Sequence, residues 1–340
     1  MALTDKLTAI ADAIRSKTGK TDKLTLESMP TEIESIETGG GSTEPYIEET
    51  YNSDGNLIDV NMHGYTKIRQ YAFYKCTNLA LTSLPSSVTS IGNHAFGYCT
   101  SLALTSLPSG VTSIGSYAFE SCKNIVLTSL PSGITSIGSR AFYQCTNLAL
   151  TSLPSSITTI ESNTFYQCTN LALTSLPSGL INIEESAFYD CTNLALTSLP
   201  SGITSIGSQA FYRCTNLTLT SLPSGINTIE SGAFSSCENI TLTSLPSSVT
   251  SIVANAFNGC TNLALTSLPS GITSIGVNAF NSCTSLVSMT FEGTPETIAF
   301  GVFSGCTNLT TINVPWAEGE VANAPWGATN ATINYNYTGG

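Results

Sequence analysis

The side chains best suited to chemistry are 11 cysteines and two histidines. Cys76, Cys99, Cys122, Cys145, Cys168, Cys191, Cys214, Cys237, Cys260, Cys283 and Cys306 follow one another at a constant step of 23 residues. Thiols can pair as disulfides, ligate zinc or act as nucleophiles. The constant step argues for another role. One position of a repeat, stacked at strand spacing, sets neighbouring thiols roughly 5 Å apart. That distance permits adjacent disulfides, but an odd number leaves one over, and a reduced cytosolic origin leaves all of them free. No column of His or acidic residues runs beside them, so no metal site is predicted. The reading is small, buried, apolar filler. His63 and His94 lack the neighbouring carboxylate or nucleophile that a general base needs. Neither a phosphate loop nor a pair of catalytic carboxylates is visible. The sequence therefore predicts no enzyme and no cofactor.

The cysteines belong to a unit that dominates the chain. Leu102-Ala-Leu-Thr-Ser-Leu-Pro-Ser-Gly-Val-Thr-Ser-Ile-Gly-Ser-Tyr-Ala-Phe-Glu-Ser-Cys122 recurs from about residue 60 to about 310. A Phe stands three residues before each cysteine, from Phe73 to Phe303. A fixed period of this length marks a solenoid, because each unit is too short to bury its apolar residues alone and must stack on its neighbours. Each coil is expected to hold two short parallel strands and one helical turn. In the second coil these are Leu79–Leu84, Val88–Ile91 and Asn93–Cys99. Ala95, Phe96 and Cys99 then share one buried helical face, which leaves 93, 94, 97 and 98 outward. Columns such as Thr82/Thr105/Thr128 and Asn78/Asn124/Asn147 become hydrogen-bonding ladders. About ten or eleven coils at strand spacing give a stack roughly 50 Å long.

Variation within the repeat points to a candidate site. Leu-Ala-Leu-Thr-Ser-Leu-Pro-Ser barely changes, whereas the positions around the Ala-Phe pair change freely. The candidate ligand-binding residues are Tyr74, Lys75, Tyr98, Tyr117, Arg140, Tyr143, Gln144, Tyr166, Gln167, Tyr189, Asp190, Tyr212 and Arg213. They are predicted to lie along one ridge. Tyr143, Tyr166, Tyr189 and Tyr212 form a run of four stacked rings within it. Tyrosine offers a large contact area at low entropic cost, as in antibody paratopes.

The remaining segments read as attachments. Residues 1–38 form a helical anchor or oligomerisation segment, with Leu3, Leu7, Ile10 and Ile14 on one face of a helix over 3–16. Residues 39–45 are a Gly-rich linker, 46–310 the solenoid, and 311–340 a C-terminal cap holding Trp316 and Trp326. Net charge is −12, and only Lys123, Arg140 and Arg213 supply cations after Cys76. That distribution excludes a nucleic-acid footprint. The N-terminus lacks the basic and apolar regions of a signal peptide, and no apolar run is long enough to cross a bilayer.

The unit Ala-Phe-x-x-Cys-x-x-Leu, with Pro-Ser-x-Ile-Thr-Ser-Ile-Gly, resembles the BspA-type (Treponema-like) leucine-rich repeat, whose members are mostly surface proteins and adhesins. The order Leu-Ala-Leu-Thr-Ser-Leu-Pro departs from the more usual Leu-Thr-Ser-Ile-Thr-Ile-Pro and leaves open which face of that stretch is buried. Leu3-Thr-Asp-Lys-Leu-Thr-Ala-Ile and Leu24-Thr-Leu-Glu-Ser-Met-Pro are similar to the N-terminal anchor of tail proteins from phages of Gram-positive gut bacteria. Val314-Pro-Trp-Ala-Glu-Gly-Glu and Ala324-Pro-Trp-Gly-Ala resemble the C-terminal end of such proteins. The resemblance implies a phage tail fibre or receptor-binding protein, made in the bacterial cytoplasm and carried on the virion. Its partners would be a host-surface glycan or protein through the ridge, and a tail or baseplate protein through residues 1–37, as a homo-oligomer. The alternatives are a bacterial cell-surface or secreted adhesin, a structural spacer without ligand, and, from the Thr column, an ice-binding surface.

Overall fold

The computed structural model describes residues 46–338. The helix expected over 3–16, the linker and the docking segment lie outside the described residues. Among these residues the chain divides into two units, 46–47 with 62–64, and 48–61 with 65–338. In the first, Tyr46 stacks on His63 with ring centroids 4.4 Å apart. Strands β1 (Tyr46–Tyr51) and β2 (Leu57–His63) pair as a two-stranded sheet. The second unit holds the repeats.

Each repeat is one coil, and its most regular element is a two-residue strand at the Ser-Ile or Thr-Ile step. The first four are β3 (Lys67–Ile68), β4 (Ser90–Ile91), β5 (Ser113–Ile114) and β6 (Ser136–Ile137). They pair in parallel with a register of one coil, Ser90 to Ser113 and Ile91 to Ile114. A second sheet joins β7 (Thr159–Ile160), β8 (Asn182–Ile183) and β9 (Ser205–Ile206). A third contains the equivalent strands from Thr228–Ile229 to Thr297–Ile298. Alternation sends every Ile inward and leaves the preceding residue at the surface. Both breaks between these sheets fall where a coil with Gly after the Ile precedes a coil with Glu there, Gly138 before Glu161 and Gly207 before Glu230. The coils approach closely at this point, since a Cβ on Gly138 would stand 2.5 Å from the Ser116 nitrogen of the preceding coil. Ala299 follows Gly276 without a break and donates to Ile275 at 2.9 Å. A Cβ after the Ile is therefore not enough by itself to interrupt the sheet.

The interior is built from the invariant positions. In the second coil Leu79, Leu81, Leu84, Val88, Ile91, Ala95, Phe96 and Cys99 are all buried. This settles the open face: the chain turns Leu79 and Leu81 inward, bends, and brings Leu84 in after a step of three. The expected first strand is therefore absent from most coils. Backbone bonds such as Ala103 N to Leu81 O (3.0 Å) and Val126 N to Leu104 O (3.0 Å) still tie neighbouring coils there. After β2, regular strands appear on this side only near the end, at Ser267–Leu268, Ser288–Phe291, Thr311–Asn313 and Thr332–Asn334, which form a fourth sheet.

The Ala-Phe segment is not a helical turn either, and no helix occurs among the described residues. Its backbone alternates. Tyr71, Phe73 and Lys75 donate to Asn93, Ala95 and Gly97 of the next coil at 3.0, 2.8 and 2.8 Å, while Ala72, Tyr74 and Cys76 donate back to Arg69, Tyr71 and Phe73 at 3.2, 3.3 and 3.1 Å. A helix would consume these donors internally and leave neighbouring coils unconnected; the alternation satisfies the backbone and links the stack. It requires a left-handed residue five and one before each cysteine, for example His94 (φ 53°) and Tyr98 (φ 63°).

The phenylalanines form a continuous inner column. Phe119, Phe142, Phe165, Phe188 and Phe211 are fully buried, with successive centroids 5.4 to 5.8 Å apart and planes within 10°. At the C-terminal end, the Phe303 amide donates to the Trp326 carbonyl at 2.9 Å. Phe291 packs edge-on to Phe303 and Trp316, with Trp326 beside it.

Candidate functional site

The cysteine column carries a chemistry the repeat pattern alone did not reveal. Each buried thiol donates to the carbonyl of the Phe in the preceding coil: Cys99 Sγ to Phe73 O at 2.9 Å, Cys122 to Phe96 at 3.0 Å, Cys191 to Phe165 at 3.0 Å, and so on to Cys306. The thiols are filler that also bonds one coil to the next. Burial pushes the Cys99 thiol up to about 12 and Cys306 up to about 11, and raises those between them well above the ordinary range. A thiolate here would lose its solvation and its donor role together, so these groups are poor nucleophiles. The sign of the pH effect follows. The raised folded-state values contribute stability below the ordinary thiol pKa, and that stability is lost as pH rises from about 9 towards the folded values. The thermal midpoint is therefore expected to hold steady up to about pH 8.5 and to fall steeply between pH 9 and 10.5. A flat profile across that window would contradict the burial of the column.

On the outer surface, the residues two before each cysteine form one column, flanked by the left-handed positions. Tyr143, Tyr166, Tyr189 and Tyr212 stack face to face with centroids 4.6, 4.4 and 4.6 Å apart and planes within 15°. Burial raises the pKa of Tyr166 and Tyr189, and the neighbouring phenols reinforce it, which keeps both rings neutral. Beside them Gln144 Nε2 donates to Gln167 Oε1 at 2.8 Å, Ser121 Oγ donates to Gln144 at 3.3 Å, and Arg213 Nε lies 3.7 Å from Asp190 Oδ1.

A second patch lies towards the N-terminal coils. His94 is sandwiched between Tyr71 (4.7 Å) and Tyr117 (4.4 Å), and Tyr74 meets His94 and Tyr98 edge-on. Tyr98 donates to Glu120 Oε1 at 3.0 Å, a bond that raises the tyrosine's pKa. Lys75 Nζ stands 5.2 Å from the Tyr74 ring. Arg140 joins the two patches: its guanidinium lies 5.3 Å from the Tyr117 ring and 5.7 Å from Tyr143, and it donates to the Tyr117 hydroxyl at 3.0 Å. All thirteen candidates thus fall on one ridge. Sequence reasoning placed His94 on the outward face but missed its role as the ring between Tyr71 and Tyr117.

It also missed a constraint. Lys75, Tyr98, Tyr117, Arg140, Gln144, Gln167, Asp190 and Arg213 all have φ between 55° and 63°. Such positions tolerate Gly, Asn and other unbranched residues and penalise branching at Cβ. The signal was present, for none of the residues five or one before a cysteine is Val, Ile or Thr. Gln167→Val is expected to destabilise the stack by about 1–2 kcal/mol, and Gln167→Gly to leave it equally or slightly more stable. Chemical unfolding of the two variants checks this, and the reverse order would refute the backbone assignment.

Among the described residues, no group of three or more His, Cys, Asp or Glu is placed to hold a metal, and no helix is long and apolar enough to cross a membrane.

Single-turn coils of this period, with inward Leu and Ile columns and a parallel sheet along one side, define a leucine-rich-repeat solenoid. The BspA type leucine rich repeat region matches residues 66–195, 135–264 and 227–321, in six copies, and the chain belongs to that family. Among solved structures it is similar to a leucine rich cell surface protein from Faecalibacterium prausnitzii, with 27% identity, a TM-score of 0.54, and coverage of 87% of this chain and 96% of that one. A leucine-rich repeat protein from Bacteroides ovatus matches at 23% identity and a TM-score of 0.46, over 85% of this chain and 98% of that one. No curated protein matches the chain.

Proposed function

We propose that this protein is an adhesion protein of a phage tail, and that it binds a host cell-surface glycan or protein through the ridge from Tyr74 to Arg213. The observation that carries the reading is the unbroken outer run of His94, Tyr117, Arg140, Tyr143, Tyr166, Tyr189 and Tyr212 on a scaffold whose other positions hardly vary. Stacking fixes the rings before any ligand arrives, which lowers the ordering cost of binding. Because the faces are spent on one another, the stack offers edges and hydroxyls at one-coil intervals. Many such weak contacts, summed over identical copies, give adhesion by avidity. Residues 1–37 would supply the docking and oligomerisation segment, and the tail assignment rests on their likeness to tail-protein anchors.

A second reading, a bacterial cell-surface adhesin, is favoured by the likeness to a cell surface protein of F. prausnitzii. In both readings the solenoid is a binding scaffold rather than an enzyme. Immunogold labelling with antibody to this chain, on phage particles and on the cells that produce it, separates the two. Decorated tail tips are expected. Gold on the cell envelope with bare particles would overturn the tail assignment in favour of the second reading.

A further inference from the structure

The tyrosine stack ends abruptly, and its end differs from its middle. After Tyr212 the next residue in the column is Ser235, and the one after that is Asn258. The coil carrying Ser235 shows only small residues on the ridge: Ser231, Gly232, Ser235 and Ser236. The following coil contributes Gly259, also without a side chain. The ring that would continue a stack of 4.4–4.6 Å steps is therefore missing. Among the described residues, no ring or cation covers the outer face of Tyr212. Tyr212 is thus the one member of the stack whose outer face meets neither a ring nor a cation among the described residues. Ser235 is buried at 5% exposure and Ser236 is half-buried, and neither hydroxyl has a hydrogen-bond partner among the described residues. The rim adds Gln209, Arg213 and the Asn255–Asn258 amide pair, whose Asn258 Nδ2 donates to Asn255 Oδ1 at 3.2 Å. Arg213, more than half exposed, lies 3.7 Å from Asp190.

We infer that this notch seats one neutral pyranose ring, stacked by its C–H face on Tyr212 with its hydroxyls bonded to Ser236 and the amide groups. A sugar of this kind has one apolar face about as broad as a phenol ring, and hydroxyls around its edge that match uncharged donors and acceptors. The chain's net charge of −12 and the Asp190 carboxylate 3.7 Å from Arg213 work against an anionic sugar. The inference rests on the adhesion reading and narrows its ligand to a neutral glycan residue at the C-terminal end of the stack.

The test uses the full chain and its Ser235→Tyr variant. Tyrosine occupies the same column in four preceding coils, so the variant extends the stack without new backbone demands; an unlowered melting temperature confirms that it folds. Saturation-transfer NMR is run with the methyl glycosides of glucose, galactose, rhamnose and N-acetylglucosamine, and retention on intact bacteria is measured in parallel. Transfer to the ring C–H protons of at least one glycoside is expected with the wild type, with affinity at least tenfold weaker in S235Y. No transfer from the wild type to any of the four, or equal transfer in S235Y, would overturn the notch. Equal retention of both proteins on bacteria, with silent glycosides, would overturn the notch and leave ridge adhesion standing. Glycosides seated in the notch of a protein that no bacterium retains would support the notch and remove the adhesion reading.

Discussion

Replacing Phe188 by Ala is expected to cost about 3–5 kcal/mol, the range for removing a fully buried aromatic ring. Phe188 is fully buried, with Phe165 at 5.5 Å on one side and Phe211 at 5.4 Å on the other. Its loss opens a void that no side chain can fill, because both neighbouring rings are held by their own coils. In a stack where each coil contacts only its neighbours, the damage falls on two interfaces at once. Phe73→Ala should cost less, since Phe73 has a ring neighbour on one side only, Phe96 at 5.2 Å. Urea unfolding followed by circular dichroism measures both. A loss below about 1 kcal/mol for Phe188→Ala would mean that the column does not carry the stability assigned to it.

The second large effect is on binding. Replacing Tyr143, Tyr166, Tyr189 and Tyr212 together by Ser is expected to weaken retention on the target cell by about a hundredfold or more, because aromatic anchors carry a disproportionate share of interface energy and the contacts add across copies. The scaffold should survive, since Ser235 and Ser304 already occupy the same column in other coils. A folded quadruple variant with unchanged retention would remove the stack from the binding surface. The single variant Tyr166→Ser separates contact from support: it divides the stack, so a loss close to that of the quadruple variant would show that continuity of the rings matters more than their number.

Much of this was legible from the repeat, and the misses have a common cause. The period is set by the cysteines, the inward columns by Phe and Ile, and the stacking of Tyr143 to Tyr212 by identical position in successive coils; each needs only register. Backbone conformation inside the coil needs more. The i, i+1, i+4 burial of Ala95, Phe96 and Cys99 suits a helical turn and equally suits alternating left- and right-handed residues that bring the same side chains inward. Apolar spacing cannot separate these; the missing β-branched residues at the left-handed positions can. Leu79, Leu81 and Leu84 were ambiguous for a related reason, since a bend between the second and third turns a period of two into a step of three. The cysteine's bond to the Phe73 or Phe96 carbonyl could not be read from residue type, because it depends on the close approach of adjacent coils.

Recognition of a bacterial surface by the ridge is read from retention of the labelled full chain on a panel of intact bacterial strains, with wall glycans stripped from a parallel set. Retention is expected on a restricted set of strains, abolished by stripping and by the four-tyrosine replacement. Absence of retention on every strain, or uniform retention that survives both treatments, would contradict recognition by the ridge and leave the solenoid as a spacer.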